Sequence, residues 1–239
     1  MIDLYAMGSP NVVKIYIALE ELGLDYTVHP VDVFGNAQFN PEFLKLNPNA
    51  KVPVIVDHDG PGGKPYTVFE SGAILIYLAE KTGKLLARDG VARYDALQWL
   101  MVQVAGVGPM SGQLVHFVRF APKDIDHSYS LSRYKTQVVT LCKTLEARLA
   151  DSRYLGGAEY SIADVATFPW TRLMEMLLGA AVKTDYPHVM RWVADIAQRP
   201  AVVKALAATE AVRAHATTPD KATAEQMDRV FGRGKYAVA

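Results

Sequence analysis

Two dipeptides, Val52-Pro53 and Glu70-Ser71, bring together residue types that could do chemistry. Val52-Pro53 leads into the β-branched run Val54-Ile55-Val56, and Glu70-Ser71 follows a second strand-like run, Tyr66-Thr67-Val68-Phe69. Proline has no backbone donor, and an X-Pro bond is where a cis peptide is accessible. A cis turn at Pro53 would leave the Val52 N–H and C=O facing outward, a free edge for an extended ligand. Ser71 opens a helical pattern, and the unpaired N–H groups and dipole of a helix start favour a carboxylate. A peptide edge beside an anion hole suits a small peptide with a free α-carboxylate. The same residues would equally serve a plain hairpin entering a capped helix.

The elements that must position them begin with Ile2-Asp3-Leu4-Tyr5-Ala6, a short strand stopped by Gly8-Ser9-Pro10. Val12, Ile15, Tyr16, Leu19 and Leu22 recur at helical spacing. A helix is therefore expected from Asn11 to about Gly23, with Ser9 as N-cap and Pro10 at its first position. Residues 26–33 alternate as a strand and complete a βαβ unit. A polar loop, Gly35-Asn36-Ala37-Gln38, and a short helix at 41–46 precede the hairpin. The helix opening at Ser71 runs to about Thr82, closed by Gly83. After a linker at 85–90 the strand-like alternation disappears. Helices are expected at 91–120, 129–150, 162–178, 186–198 and 200–208.

The fold class is thus α+β: a thioredoxin-like domain over 1–84, an all-helical domain over 91–216, and a tail over 217–239. That tail is polar and weakly patterned, so it either folds back or stays mobile. The helix at 91–120 carries Gly106, Gly108, Pro109 and Gly112, each costly in a helix interior. Such a kinked helix admits a close neighbour, either a partner helix or a ligand.

Composition narrows the classes. With 25 Lys+Arg against 25 Asp+Glu in 239 residues the formal charge is zero, so neither nucleic acid nor an anionic membrane is an expected partner. Cys142 is the only cysteine, which excludes an internal disulfide and a CxxC redox pair and suits a reducing compartment. No signal-peptide pattern opens the chain and no apolar run is long enough to span a bilayer, so the cytoplasm is expected. No metal-binding pattern is singled out.

Val52-Pro53 followed by Glu70-Ser71-Gly72-Ala73-Ile74 resembles the glutathione-binding core of glutathione S-transferases. The run Tyr160-Ser161-Ile162-Ala163-Asp164-Val165 is a capping box with Asp in place of Glu. It also resembles the buried N-capping motif of that family's helical domain, a structural feature rather than a chemical one. Gln98-Trp99, Gly108-Pro109-Met110, Gly112-Gln113, His116-Phe117 and Ala121-Pro122 are similar to the bacterial disulfide-reductase subgroup, the Nu class, which resembles fungal Ure2-type proteins.

The resemblance implies a homodimer with a site in the cleft between the two domains of each chain. It implies that Val52 and Pro53 present the edge for the cysteinyl backbone of glutathione, and that Glu70 and Ser71 hold the γ-glutamyl end. Gln38 and Lys51 are placed at the glycyl end, and Arg133 matches a glutathione-contacting arginine. Taken alone, Gln38 and Lys51 read as solvated side chains and Arg133 as a helix-surface arginine. At the point where the family activates the thiol this chain has Ser9-Pro10-Asn11. Ser9 is either a helix cap or, with the Asn11 amide, a donor to the glutathione sulfur; such donors lower a thiol pKa from ~8.5. The subgroup has Thr at the position of Ser9. His116 is left as a substrate-pocket candidate, and Cys142 is expected to be structural.

The implied function is glutathione-dependent disulfide reduction, using reduced glutathione as co-substrate, forming its oxidised form, and drawing no sulfur from the protein. Conjugation of glutathione to electrophiles or reduction of hydroperoxides is the alternative within the family. A non-catalytic Ure2-like regulator is the alternative outside enzymology, weakened because no Asn-rich stretch precedes Met1.

Overall fold

A computed structural model describes residues 1–238. Two compact units emerge, one formed by Met1–Ile74 together with the chain from Lys204 onward, the other by Leu75–Val203.

The first unit holds β1 (Ile2–Ala6), α1 (Pro10–Leu22), β2 (Tyr26–Pro30), α2 (Pro41–Leu46), β3 (Val54–Asp57), β4 (Tyr66–Phe69) and the start of α3 (Ser71–Thr82). Among the described residues the sheet has four strands in the order β2-β1-β3-β4, with β1 and β2 parallel and the other neighbours antiparallel. This is the expected thioredoxin-like arrangement. Leu4 pairs with Val28 on one side and Ile55 on the other, and Leu4 and Ile55 are fully buried. β2 stops at Pro30, short of the expected residue 33, because its partner β1 ends at Ala6, opposite Pro30. α1 differs from a one-faced amphipathic helix: every residue from Val12 to Leu19 is buried, Lys14 included. A helix apolar on nearly all sides is built for an interior.

The second unit is helical: most of α3, α4 (Gly90–Val102), α5 (Gly108–Arg119), α6 (Ser128–Asp151), α7 (Ile162–Thr171), α8 (Met174–Leu178), α9 (Val182–Asp185) and α10 (Pro187–Ala197). The expected helix over 91–120 is two helices joined by a π-helical turn at Gln103–Val107, so the kink has a π-turn just ahead of Pro109 as its cause. At two of its small residues a side chain of a neighbouring helix comes close. A Cβ on Gly106 would stand 3.1 Å from Leu141 Cδ2 of α6, and one on Gly112 3.5 Å from Trp170 of α7. The expected helix over 162–178 breaks after Thr171, whose hydroxyl donates to the Thr167 and Phe168 carbonyls at 3.2 and 3.1 Å. Such back-bonding bends helices. The capping box forms as expected, with Ser161 N and Oγ both donating to Asp164 Oδ2 at 3.0 Å.

The chain returns to the first unit within α11 (Pro200–Arg213), which outruns the expected residue 208. Beyond it stands α12 (Ala224–Phe231), which the sequence reading passed over. Thr223-Ala224-Glu225-Gln226 is the signal that marks it, an S/T-x-x-Q capping box that forms in full. Among the described residues no helix is long and apolar enough to cross a membrane.

Candidate active site

A cavity of about 390 Å³ in the first unit is lined by Ser9, Gln38, Lys51 and Val52, together with Arg229, Val230 and Gly232 of the C-terminal segment. Four residues singled out in the sequence therefore share one space. Each is placed by a local device.

Ser9 precedes α1 with extended backbone, and its carbonyl accepts from the Val12 and Val13 N–H groups at 3.0 Å. Ser9 holds the expected N-cap position, but its side chain makes no capping hydrogen bond. Pro10 at the first helical position needs no donor partner, and its fixed φ sets the helix start without the hydroxyl. Asn11 is half-buried at the second position of α1.

Gln38 sits in a 3-10 turn, Ala37–Phe39, and is only 3% exposed, so it is no solvated loop amide. Its Oε1 has no hydrogen-bond partner among the described residues. A buried amide oxygen left unpaired costs free energy, which a donor on a ligand would recover. Lys51 is exposed, and its carbonyl accepts from Asn47 Nδ2 at 2.7 Å. Asn47 Oδ1 also accepts the Asn49 N–H at 3.0 Å, so one buried carboxamide braces the turn that carries Lys51.

The Val52-Pro53 peptide is cis, as the sequence leads one to expect, and Pro53 is buried. The ladder of β3 with β4 begins at Val54, leaving Val52 outside it. The Val52 side chain packs on a small cluster of Val31, Phe43 and Val54. Glu70 is exposed and holds a left-handed backbone, φ +70°, while its carbonyl accepts the Ile74 N–H at 2.9 Å. A glutamate in that region carries strain of about 1–3 kcal/mol, of the kind that gathers at functional sites.

Lys14 is the residue that sequence reasoning missed. It is 2% exposed, and its Nζ donates to Ser71 Oγ at 3.1 Å. Burial pulls its ammonium down to about 7, opposed by the charge of Glu70. Its position within the apolar run of α1 was the available signal, since a cation there must find a buried partner. The arrangement sets a cation directly behind the hydroxyl expected to meet a carboxylate.

Arg133 and His116 belong to the second unit. Arg133 is exposed on α6, and His116 is half-buried with its ring edge-on to Phe117. Cys142 is fully buried, with Sγ 3.5 Å from Met174 Sδ, and burial pushes its thiol up to about 12. It carries no thiolate at neutral pH. Among the described residues no cluster of three or more His, Cys, Asp or Glu could hold a metal ion.

The family model for the glutathione S-transferase N-terminal domain matches residues 8–81, and that for the C-terminal domain matches residues 109–200. The disulfide-bond oxidoreductase YfcG of Escherichia coli (strain K12) is 47% identical over 208 residues, covering 86% of this chain and 94% of that relative. A Burkholderia graminis glutathione transferase, solved with two glutathione molecules per subunit, is similar with a TM-score of 0.81 at 47% identity, over 86% of this chain and 87% of its own. A Pseudomonas putida glutathione transferase, solved with one glutathione disulfide per subunit, gives a TM-score of 0.81 at 44% identity, over 86% and 90%.

Proposed function

This chain belongs to the glutathione S-transferase family, and we propose that within it the protein works as a glutathione-dependent disulfide-bond oxidoreductase. One observation carries the reading. The cavity joins a hydroxyl, a peptide edge outside the sheet and an unsatisfied amide, in a chain whose single cysteine is buried and protonated. The sulfur must then come from the co-substrate. A relative named as a disulfide-bond oxidoreductase, and neighbours solved with glutathione or its disulfide, support the same chemistry.

In this reading residues 1–84 bind glutathione. The Val52 backbone, held at the Pro53 turn, pairs with the cysteinyl unit, Glu70 and Ser71 take the γ-glutamyl end, and Gln38 and Lys51 take the glycyl end. Arg133, in the helical domain over 91–216, is assigned on the family resemblance alone. Ser9 Oγ and the Asn11 amide donate to the sulfur and favour thiolate over thiol, as does the N-terminus of α1. Glutathione supplies the nucleophile: its thiolate attacks one sulfur of a disulfide, the S–S bond breaks, and the departing thiolate takes up a proton. A second glutathione attacks the mixed disulfide, so two thiols and one glutathione disulfide result. Holding the partners in line and stabilising thiolate at both ends is the protein's contribution.

The test compares three rates with glutathione: reduction of bis(hydroxyethyl) disulfide, conjugation of chlorodinitrobenzene, and reduction of cumene hydroperoxide. Disulfide reduction is expected to dominate. Dominant conjugation or peroxide reduction would move the protein to the transferase or peroxidase reading, and tight glutathione binding with no turnover to a regulator.

Two substitutions sharpen the mechanism. Asn11→Ala and Ser9→Ala are each expected to slow reduction and shift its pH profile upward. Ser9→Ala should leave the unfolding midpoint nearly unchanged, because its hydroxyl caps nothing. An unaltered pH profile in both variants would leave the thiolate to the helix N-terminus. Cys142→Ala should keep full activity per folded molecule and lose only the modest stability of a small cavity. Lost turnover with intact glutathione binding would make Cys142 a redox sulfur.

The finer assignments follow the same reading: the Nu class, a homodimer, and a reducing, cytoplasmic setting. Exposed Val91, Tyr94 and Met101 on α4 support a dimer, being apolar side chains left uncovered at helical spacing. Sedimentation equilibrium decides it, and a monomer at micromolar concentration overturns the assignment.

A further inference from the structure

The C-terminal segment lies outside both family-model matches, which end at residue 200, yet it is built into the site. Thr217 begins the attachment. Its N–H and hydroxyl donate to Asp32 Oδ1 and Oδ2 at 3.1 and 2.5 Å, while Asp32 Oδ1 also accepts the Gly35 N–H at 3.1 Å. One carboxylate therefore clasps the tail to the loop that carries Gln38. Asn36 Nδ2 donates to the Gln226 carbonyl at 3.1 Å, and the Arg229 guanidinium lies over the Phe39 ring, 4.4 Å from its centroid. The tail has its own order. α12 has a capping box at one end and a left-handed Gly232 at the other, and Glu225 accepts from Lys235 Nζ at 2.5 Å and Tyr236 Oη at 3.0 Å. α12 thus reaches the cavity as a formed helix.

Arg229 and Lys51 both line that cavity, beside the orphaned Gln38 Oε1. Two cations and an unsatisfied buried amide describe a site for an anionic group carrying a nearby donor. A peptide's C-terminal carboxylate with its own N–H fits this chemistry. We propose that α12 is a fixed wall of the glutathione site and that Arg229 is a specificity-determining residue, which with Lys51 selects ligands by their glycyl carboxylate. The stacking of Arg229 on Phe39 holds the planar guanidinium in place, so little side-chain freedom is lost when an anion binds. This inference rests on the glutathione reading and names what the tail adds to it.

The experiment titrates glutathione and its glycyl monoethyl ester, which lacks the terminal charge, into the full chain, Arg229→Gln, Lys51→Gln, and a chain truncated after Ala216. The full chain should prefer the free acid by about tenfold or more, the scale of one or two charge-assisted hydrogen bonds. Arg229→Gln should cut that preference at least threefold while leaving ester affinity nearly unchanged, and Lys51→Gln and the truncation should each cut the preference as well. Arg229→Gln keeps the whole backbone, so the test stands even if truncation harms folding. A preference identical to the parent's in Arg229→Gln overturns the inference and leaves the glutathione reading intact. Tighter binding of both ligands by the truncated chain also overturns it, since the tail would then be an obstructing lid. If the full chain binds neither ligand, the glutathione reading itself fails.

Discussion

A Lys14→Met variant is expected to be more stable than the parent below pH 7 and to bind glutathione at least about tenfold more weakly. The stability gain follows from the cost of a buried charge. Folded Lys14 is pulled down to about 7 from an ordinary 10.5, and at about 1.4 kcal/mol per pKa unit the penalty is on the order of 5 kcal/mol. Losing the bond to Ser71 Oγ returns about 1 kcal/mol of that. Between pH 7 and 10.5 the unfolded chain keeps a proton the folded residue releases, so parent stability rises with pH through that window. Below pH 7 both states are protonated and the full penalty stands. The methionine variant lacks this slope, so its advantage is greatest below pH 7 and shrinks toward pH 10. Affinity moves the other way, because Ser71 loses the cation behind it and the ligand carboxylate loses a counter-charge. Ser71→Ala, which keeps the backbone N–H and Lys14, should cost a comparable amount of binding, about 1–2 kcal/mol. Urea unfolding at pH 6 and pH 9, with calorimetric glutathione titration, reads both effects. Unchanged affinity in the methionine variant would detach Lys14 from ligand binding and leave it a packing residue.

Asp164→Ala should cost about 3–5 kcal/mol of stability in the helical unit. The carboxylate is fully buried and accepts from Leu155 N–H and Trp192 Nε1 at 2.9 Å through Oδ1, and from Ser161 N–H and Oγ at 3.0 Å through Oδ2. Alanine would strand those donors in an apolar interior, where water cannot replace the lost acceptor. Asp164→Asn keeps one acceptor oxygen and should fall between parent and alanine. Thermal and urea midpoints check this order. An alanine variant within 1 kcal/mol of the parent would mean that water enters and satisfies the donors.

The asymmetry between these two residues shows what a sequence can and cannot declare. The capping role of Asp164, unlike its bond from Trp192 across 28 residues, was legible because that part of its work is done three residues away: Ser-x-x-Asp before an apolar run specifies a helix start wherever it lies. The strand and helix order of the first unit, the Val52-Pro53 turn and the Glu70-Ser71 junction were legible for the same reason. Periodicity, proline and capping chemistry act within one or two turns of backbone. What escaped depends on distant partners. Lys14 meets Ser71 across 57 residues, and Thr217 meets Asp32 across 185. Gln38 lies in a polar loop that reads as solvated, yet it is buried and lines a cavity shared with the tail and the 49–52 loop. Ser9 has the right type and place for a cap, yet its hydroxyl makes no capping bond and lines a cavity. Residue identity determined the local backbone and the chemistry on offer at each position. Only the tertiary structure decided which polar groups lost their water, because desolvation is set by packing from far along the chain, and a group without water must find a partner or a ligand.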